Sequence, residues 1–163
     1  MSIVKLNNRG VKNATAFGSI TGLGSMIFIK KLTASSSSTL SFVDGSSDVV
    51  LDNTYKEYIF TFKNLHLSSN SASIFFNGSI DGGSNYNVTK TTTNFEANHN
   101  EADSANTLTY KTARDLAQST SDQILANEPG NDNDQCMSGY MHLFNPSSTT
   151  FVKHFVLKQN STY

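Results

Sequence analysis

Residues that favour β-strands occur along this chain in short runs, and Gly, Asn, Asp and Ser separate the runs. In Tyr58–Phe62 every second side chain is aromatic, which is the alternation of a strand with one buried face. Many short strands with turn residues between them predict an all-β fold, a sandwich or a barrel, and we expect an antiparallel β-sandwich. A trace of helical spacing in Ala113–Ala126 supports one helical turn at most. The eight predicted strands are Met26–Leu32, Thr39–Val43, Tyr58–Phe62, Ser73–Phe76, Val88–Phe95, Thr107–Tyr110, Tyr140–Phe144 and Thr150–Leu157.

The last two runs predict a hairpin, because Asn145-Pro146-Ser147-Ser148 places turn residues between them. Strands with one buried face also predict which side chains form the core. The expected residues in or beside it are Phe60, Phe62, Phe75, Met141, Leu143 and Phe155.

The composition of the chain argues against some classes of function. The chain has 163 residues, which suits one domain, and 15% of them are charged, with a net charge of -1. No stretch is basic enough to neutralise a row of phosphates, so no nucleic-acid partner is expected. No apolar run reaches membrane length, and membrane insertion is not expected either. The single cysteine, Cys136, excludes an internal disulfide and fits folding in a reducing cytosol.

Residues 1–24 differ from the rest of the chain, because they are rich in Asn and Gly with scattered apolar side chains. One interpretation is a first strand followed by a loop. The other is an extended arm that orders against a neighbouring subunit, since terminal segments stay disordered unless something holds them. In the second case Ile3, Val4, Leu6 and Phe17 would form the anchoring interface, and residues 25–163 would form the β domain.

Four segments resemble a known family: residues 31–45, 49–62, 81–86 and 139–155, of which the last is the most specific. Together they are similar to uncharacterised virion proteins of marine tailed phages, of the cyanophage and pelagiphage kind. The resemblance implies a jelly-roll-like sandwich on the virion, as a head or tail appendage, and it implies no catalytic signature. Similar proteins extend beyond the point at which this chain ends. That difference suggests either a shorter variant or a sheet that another chain completes.

Candidate ligand sites have ordinary structural alternatives. Asp81-Gly82-Gly83 favours a tight turn, and the alternative is a contact of Asp81 with calcium or a sugar. Tyr86 and Tyr140 would stack on a sugar if exposed, or pack in a subunit contact.

Two groups of side chains are candidate metal sites. Asp132 and Asp134, in a loop with Glu128, suit Ca²⁺ or form a solvated loop. His142 and His154 would stand opposite each other if Asn145 paired with Phe151, but zinc needs further ligands.

These observations favour a non-enzymatic virion protein, a homo-oligomeric fibre-like or decoration component of the head or tail, made in the host cytoplasm. Its expected partners are other copies of itself and other virion proteins, and no cofactor is expected. The alternative is a receptor-binding, lectin-like module that recognises a host-surface glycan. An enzyme such as a depolymerase is less favoured, because the acidic residues are scattered through loops.

Overall fold

The computed structural model describes residues 26–162, which contain nine β-strands and no helix. All strand pairs are antiparallel, so the predicted all-β, antiparallel class is confirmed. The strands are β1 (Glu57–Leu65), β2 (Ile74–Phe76), β3 (Lys90–Thr92), β4 (Phe95–His99), β5 (Asn106–Tyr110), β6 (Leu116–Ser119), β7 (Gln123–Ala126), β8 (Met137–Phe144) and β9 (His154–Ser161).

The first eight strands pair in a nested order. β1 pairs with β8, β2 with β7, β3 with β6 and β4 with β5, so one long antiparallel ribbon folds back on itself between β4 and β5. The predicted hairpin near the end of the chain is confirmed, because β9 pairs with β8 along its whole length. β9 begins at His154, however, and not at Thr150 as the sequence suggested.

The three-stranded sheet β1-β8-β9 has one buried and one exposed face, as the aromatic alternation predicted. Tyr58 is buried, whereas Ile59 beside it on β1 is exposed. Met141 lies opposite Phe60 in the ladder and is buried on the same face. A register shift between Phe62 and Leu65 interrupts the β1–β8 ladder, whereas the β8–β9 ladder runs without a break.

The core lies between this sheet and the β2–β7 pair. Leu125, Ala126 and Met137 form its buried centre, and Phe62 and Leu157 of the three-stranded sheet pack against it. The rings of Phe76 and Phe155 meet edge to face at 5.5 Å between their centroids. Most of the residues that were predicted to form the core therefore lie in or beside it. Phe75 is the exception, because 52% of it is exposed; its neighbours Ile74 and Phe76 face the core instead.

Two predicted strands were wrong. Met26–Leu32 and Thr39–Val43 form no strand, although Phe42 still packs on Phe60 with ring centroids 5.4 Å apart. A strand requires hydrogen bonds from a neighbouring strand, and within the described residues no strand pairs with these two segments. Ala113–Ala126, in which one helical turn at most was predicted, contains strands β6 and β7. The proposed arm, residues 1–24 with Ile3, Val4, Leu6 and Phe17, lies outside the described residues.

Candidate functional site

The β4–β5 hairpin exposes an apolar face. Phe95 pairs with Tyr110, and Ala97 pairs with Leu108, so these four side chains lie on one side of the ladder. The exposed fraction is 69% for Phe95 and 79% for Leu108. An isolated two-stranded hairpin is marginally stable in water. Among the residues that the structure describes, these four, here called the hairpin face, are left largely exposed.

Charged groups hold the base of the hairpin. Glu96, on the opposite side from the hairpin face, contacts Arg114 and lies 2.8 Å from the ammonium nitrogen of Lys111. The hydrogen bond from Lys111, together with Arg114, lowers the pKa of the Glu96 carboxyl, although partial burial opposes the shift. The hydroxyl of Tyr110 donates to the Asp115 carboxylate, which raises the pKa of Tyr110. The exposed hairpin is thus fixed at its base.

The exposed side of the three-stranded sheet forms a second apolar surface. The rings of Tyr140, His142 and Phe144 follow one another along β8, with centroid distances of 5.3 and 6.1 Å. Ile59 and Val156 flank His142 on the two neighbouring strands, and 57% of Val156 is exposed. These five residues are here called the sheet face. Within residues 26–162, one side of this sheet packs on the core.

Charged residues of opposite sign lie at the hairpin tip and beside the three-stranded sheet. Glu101 and Asp103 lie at the tip of the β4–β5 hairpin, where a carboxylate oxygen of Asp103 is 2.9 Å from the Nε2 atom of His99. Lys56 directly precedes β1 and Lys153 directly precedes β9, and the ladder places both starts at one end of the sheet. Glu57 and Lys158 lie on the same side of the sheet as the sheet face, because Glu57 pairs with Phe144 and Lys158 pairs with Tyr140. Glu57 contacts the Nδ1 atom of His142.

A buried polar network, which the sequence did not suggest, joins the strands next to the hairpin. The Lys90 ammonium donates to the Asn77 side chain at 2.6 Å and to the Val88 carbonyl at 2.7 Å. Asn77 in turn donates to Asp122 at 2.8 Å. Burial lowers the pKa of Lys90, and Asp122 partly opposes that shift. The network satisfies groups that burial would otherwise leave unpaired, so its role is structural.

The Asp81 turn is confirmed, and its carboxylate is already occupied within the loop. It accepts hydrogen bonds from the Ser79 hydroxyl at 2.7 Å and from both the backbone and the side chain of Asn85. These bonds lower the pKa of Asp81 to about 2. Gly83 has a φ of +84°, and an added Cβ there would lie 3.1 Å from the Tyr86 hydroxyl. Asp81 therefore builds the loop beside Tyr86, whose ring is half exposed.

The predicted opposition of His142 and His154 was wrong. His142 pairs with Val156, and His154 pairs with Phe144, because the loop between the strands is longer than a four-residue turn. The two histidines are diagonal neighbours on one face. Asp132 and Asp134 are exposed in the loop before β8, apart from both histidines in the ladder. Within residues 26–162 no group of three or more His, Cys, Asp or Glu side chains is arranged to hold a metal ion.

Comparisons with protein-family models, with curated proteins and with solved structures gave no match. In the part of the chain that the structure describes, no helix is long and apolar enough to cross a membrane. The interpretation of the hairpin face and the sheet face therefore rests on the side chains that form them.

Proposed function

We propose that this chain is a structural protein of a tailed-phage virion, a homo-oligomeric head or tail appendage with a jelly-roll fold. The nested pairing of β1 to β8 carries this proposal. A jelly roll is an eight-stranded double sheet built from two Greek keys, and it recurs in viral capsid and lectin domains. The packing of β2–β7 against the three-stranded sheet supports the double-sheet arrangement.

The two exposed apolar faces support an assembling role. Contiguous apolar patches of more than a few hundred Å² on a soluble chain mark interaction surfaces.

The receptor-binding alternative is favoured by one observation. An open depression of about 250 Å³ is lined by amides and hydroxyls, among them Asn53, Asn145 and Ser147, with the exposed ring of Phe151 at its edge. Hydroxyl-rich ligands such as sugars suit polar groups beside an aromatic ring. A glycan array probed with the full chain and with Phe151→Ala tests this alternative. Binding that requires Phe151 would support it.

Localisation on particles tests the main proposal. We expect an antibody against the recombinant chain to label intact, purified virions of the encoding phage at a fixed position on the head or tail. Absence of the chain from washed particles would contradict the proposal. The same experiment distinguishes a decoration protein, spread over the capsid, from a fibre-like component at the tail.

Anchoring through residues 1–24 is a separate part of the proposal, and it rests on the sequence. We expect the full chain with Ile3→Asp and Phe17→Asp to fold and to be lost from particles, because charged side chains cannot enter an apolar contact without a large desolvation cost. Asn8→Asp is the matched control, since it adds charge at a polar position. Normal incorporation of the double variant would contradict anchoring through this segment.

A further inference from the structure

The network around Lys90 brings an amine, an amide and a carboxylate into contact. The Nζ atom of Lys90 lies 2.6 Å from the Oδ1 atom of Asn77, and the Nδ2 atom of Asn77 lies 2.8 Å from a carboxylate oxygen of Asp122. An amine is a nucleophile when it is neutral, the carbon of a side-chain amide is an electrophile, and a carboxylate can carry a proton between them. The three groups are therefore those that an exchange of one amide for another requires.

The strand order produces this meeting of residues that are distant in sequence. Phe76 pairs with Gln123 in the β2–β7 ladder, so Asn77 and Asp122 occupy the next position beyond it. Lys90 is the first residue of β3. Its side chain reaches Asn77 because the end of β2 and the start of β3 approach each other across residues 78–89.

We infer that Lys90 and Asn77 react in the folded chain to form an intramolecular isopeptide bond, with Asp122 as the group that transfers the proton. The neutral Nζ atom attacks the Cγ atom of Asn77, the Nζ–Cγ bond forms, and the Cγ–Nδ2 bond breaks. The proton that Nζ loses passes through the Asp122 carboxylate to Nδ2, which leaves as ammonia. The reaction consumes no oxidant and no other reactant. This inference goes beyond the proposed function, because it concerns a covalent maturation of the fold.

Burial makes Lys90 a suitable nucleophile. The side chain is buried, and burial lowers the pKa of its ammonium, although Asp122 partly opposes that shift. A lysine that has lost its water is deprotonated more easily and is then reactive. The contact of Nζ with Oδ1 also holds the amine beside the Cγ atom to which that oxygen is bonded. The fold thereby replaces a chance encounter of the two groups by a fixed approach.

Backbone groups around Asn77 suit the intermediate of this reaction. The attack places negative charge on Oδ1, and the backbone N–H of Gly78 already donates to that atom at 2.9 Å. Donors at such distances stabilise the oxyanion of an acyl transfer. The exposed position of Asp122 gives the ammonia a path to solvent. The one hydrogen left on Nζ can still be donated to the Val88 carbonyl, which lies 2.7 Å from Nζ.

Intact-mass spectrometry of the denatured full chain tests the inference. A freshly refolded chain holds the hydrogen-bonded network alone, and during incubation at mildly alkaline pH we expect its mass to fall by that of one ammonia molecule. Chymotrypsin cleavage after Tyr86 separates Asn77 from Lys90 in sequence, so the two fragments should remain covalently linked. The same chain kept in concentrated urea should retain its full mass, because the unfolded state does not hold the groups together.

Three variants separate the roles of the residues, with circular dichroism as the check that each is folded. Lys90→Arg keeps the charge but stays protonated and cannot attack, so it should lose no ammonia. Asp122→Asn should slow the loss by about 100-fold, which is the contribution expected of a positioned proton carrier. Asp134→Asn, an exposed change outside the network, should react at the wild-type rate.

The wild-type measurement decides the outcome whether or not the variants fold. A folded wild-type chain of unchanged mass, or one that loses ammonia without linked fragments, would overturn the isopeptide bond. A Lys90→Arg chain that loses ammonia as fast as the wild type would also overturn it, since the Gly78 nitrogen would then be the attacking group in a cyclisation of Asn77. An Asp122→Asn chain that reacts at the wild-type rate would refute the transfer of the proton by Asp122.

Discussion

Glu96 on β4 accepts a hydrogen bond from the guanidinium of Arg114, and this contact closes the base of the exposed β4–β5 hairpin. Lys111 reaches the other oxygen of the same carboxylate. The hydrogen bond from the Tyr110 hydroxyl to Asp115 and the backbone bond from Lys111 to the Asn94 carbonyl hold the same base. The Glu96 carboxylate is therefore one of several groups that orient the hairpin face relative to the rest of the described residues.

The first prediction concerns the replacement of the Glu96 carboxylate. We expect Glu96→Gln to lower the free energy of unfolding by about 1 kcal/mol, because one charge-assisted hydrogen bond loses its acceptor and the other loses the negative charge, at a partly buried position. Urea denaturation followed by circular dichroism measures the change. Glu101→Gln removes an exposed carboxylate at the tip of the same hairpin, and its effect should stay within about 0.5 kcal/mol. Equal effects of the two changes would show that the Glu96 contacts contribute nothing.

Acidification should remove the same contribution. The pKa of Glu96 is lowered in the folded state, so its stabilisation is present above the ordinary pKa of a glutamate and is lost as pH falls through the lowered value. The stability difference between the wild type and Glu96→Gln should therefore be constant near neutral pH and shrink below about pH 4.5. Urea denaturation at several pH values between 7 and 3 measures it. A difference that is independent of pH would contradict the pairing.

The sequence predicts local features of this fold better than its long-range partners. The alternation in Tyr58–Phe62 and the turn at Asn145 are local signals, and both identify real elements. Met26–Leu32 has equally strong strand residues but forms none, because strand formation also depends on a partner that local sequence does not specify. The burial of Lys90 likewise depends on a distant partner, since Asn77 lies 13 residues away, directly after β2.

The candidate surfaces were only partly foreseeable for the same reason. The sequence leaves open whether Tyr140 is exposed or packed, and its row with His142 and Phe144 depends on a register that the turn does not define. Leu108 is an ordinary strand residue in sequence, and only the isolation of the β4–β5 pair makes it a surface feature.

The buried ammonium of Lys90 gives the third prediction. We expect Lys90→Ala to lower the free energy of unfolding by about 2 kcal/mol, because the Asn77 and Val88 oxygens lose their donor inside the fold. The relief of a buried charge opposes this loss, but Asp122 nearby already compensates that charge in part. Thermal and urea unfolding measure the change. Lys153→Ala at an exposed site is the control, and a Lys90→Ala chain as stable as the control would contradict a structural role for the network.

The close approach of β8 and β9 at Gly139 gives the last prediction. A Cβ added at Gly139 would lie 2.4 Å from the Lys158 carbonyl oxygen and 2.7 Å from the Gln159 Cα atom. Both are backbone atoms, so no side-chain rotation relieves the clash, and the two strands must separate. We expect Gly139→Ala to cost about 2–3 kcal/mol and to speed amide hydrogen exchange along β9. Gly78→Ala is the matched control, because its new methyl group would meet only the Val88 side chain at 3.3 Å, and that side chain can adjust. Equal stability and equal β9 exchange in the two variants would contradict the need for glycine at this crossing.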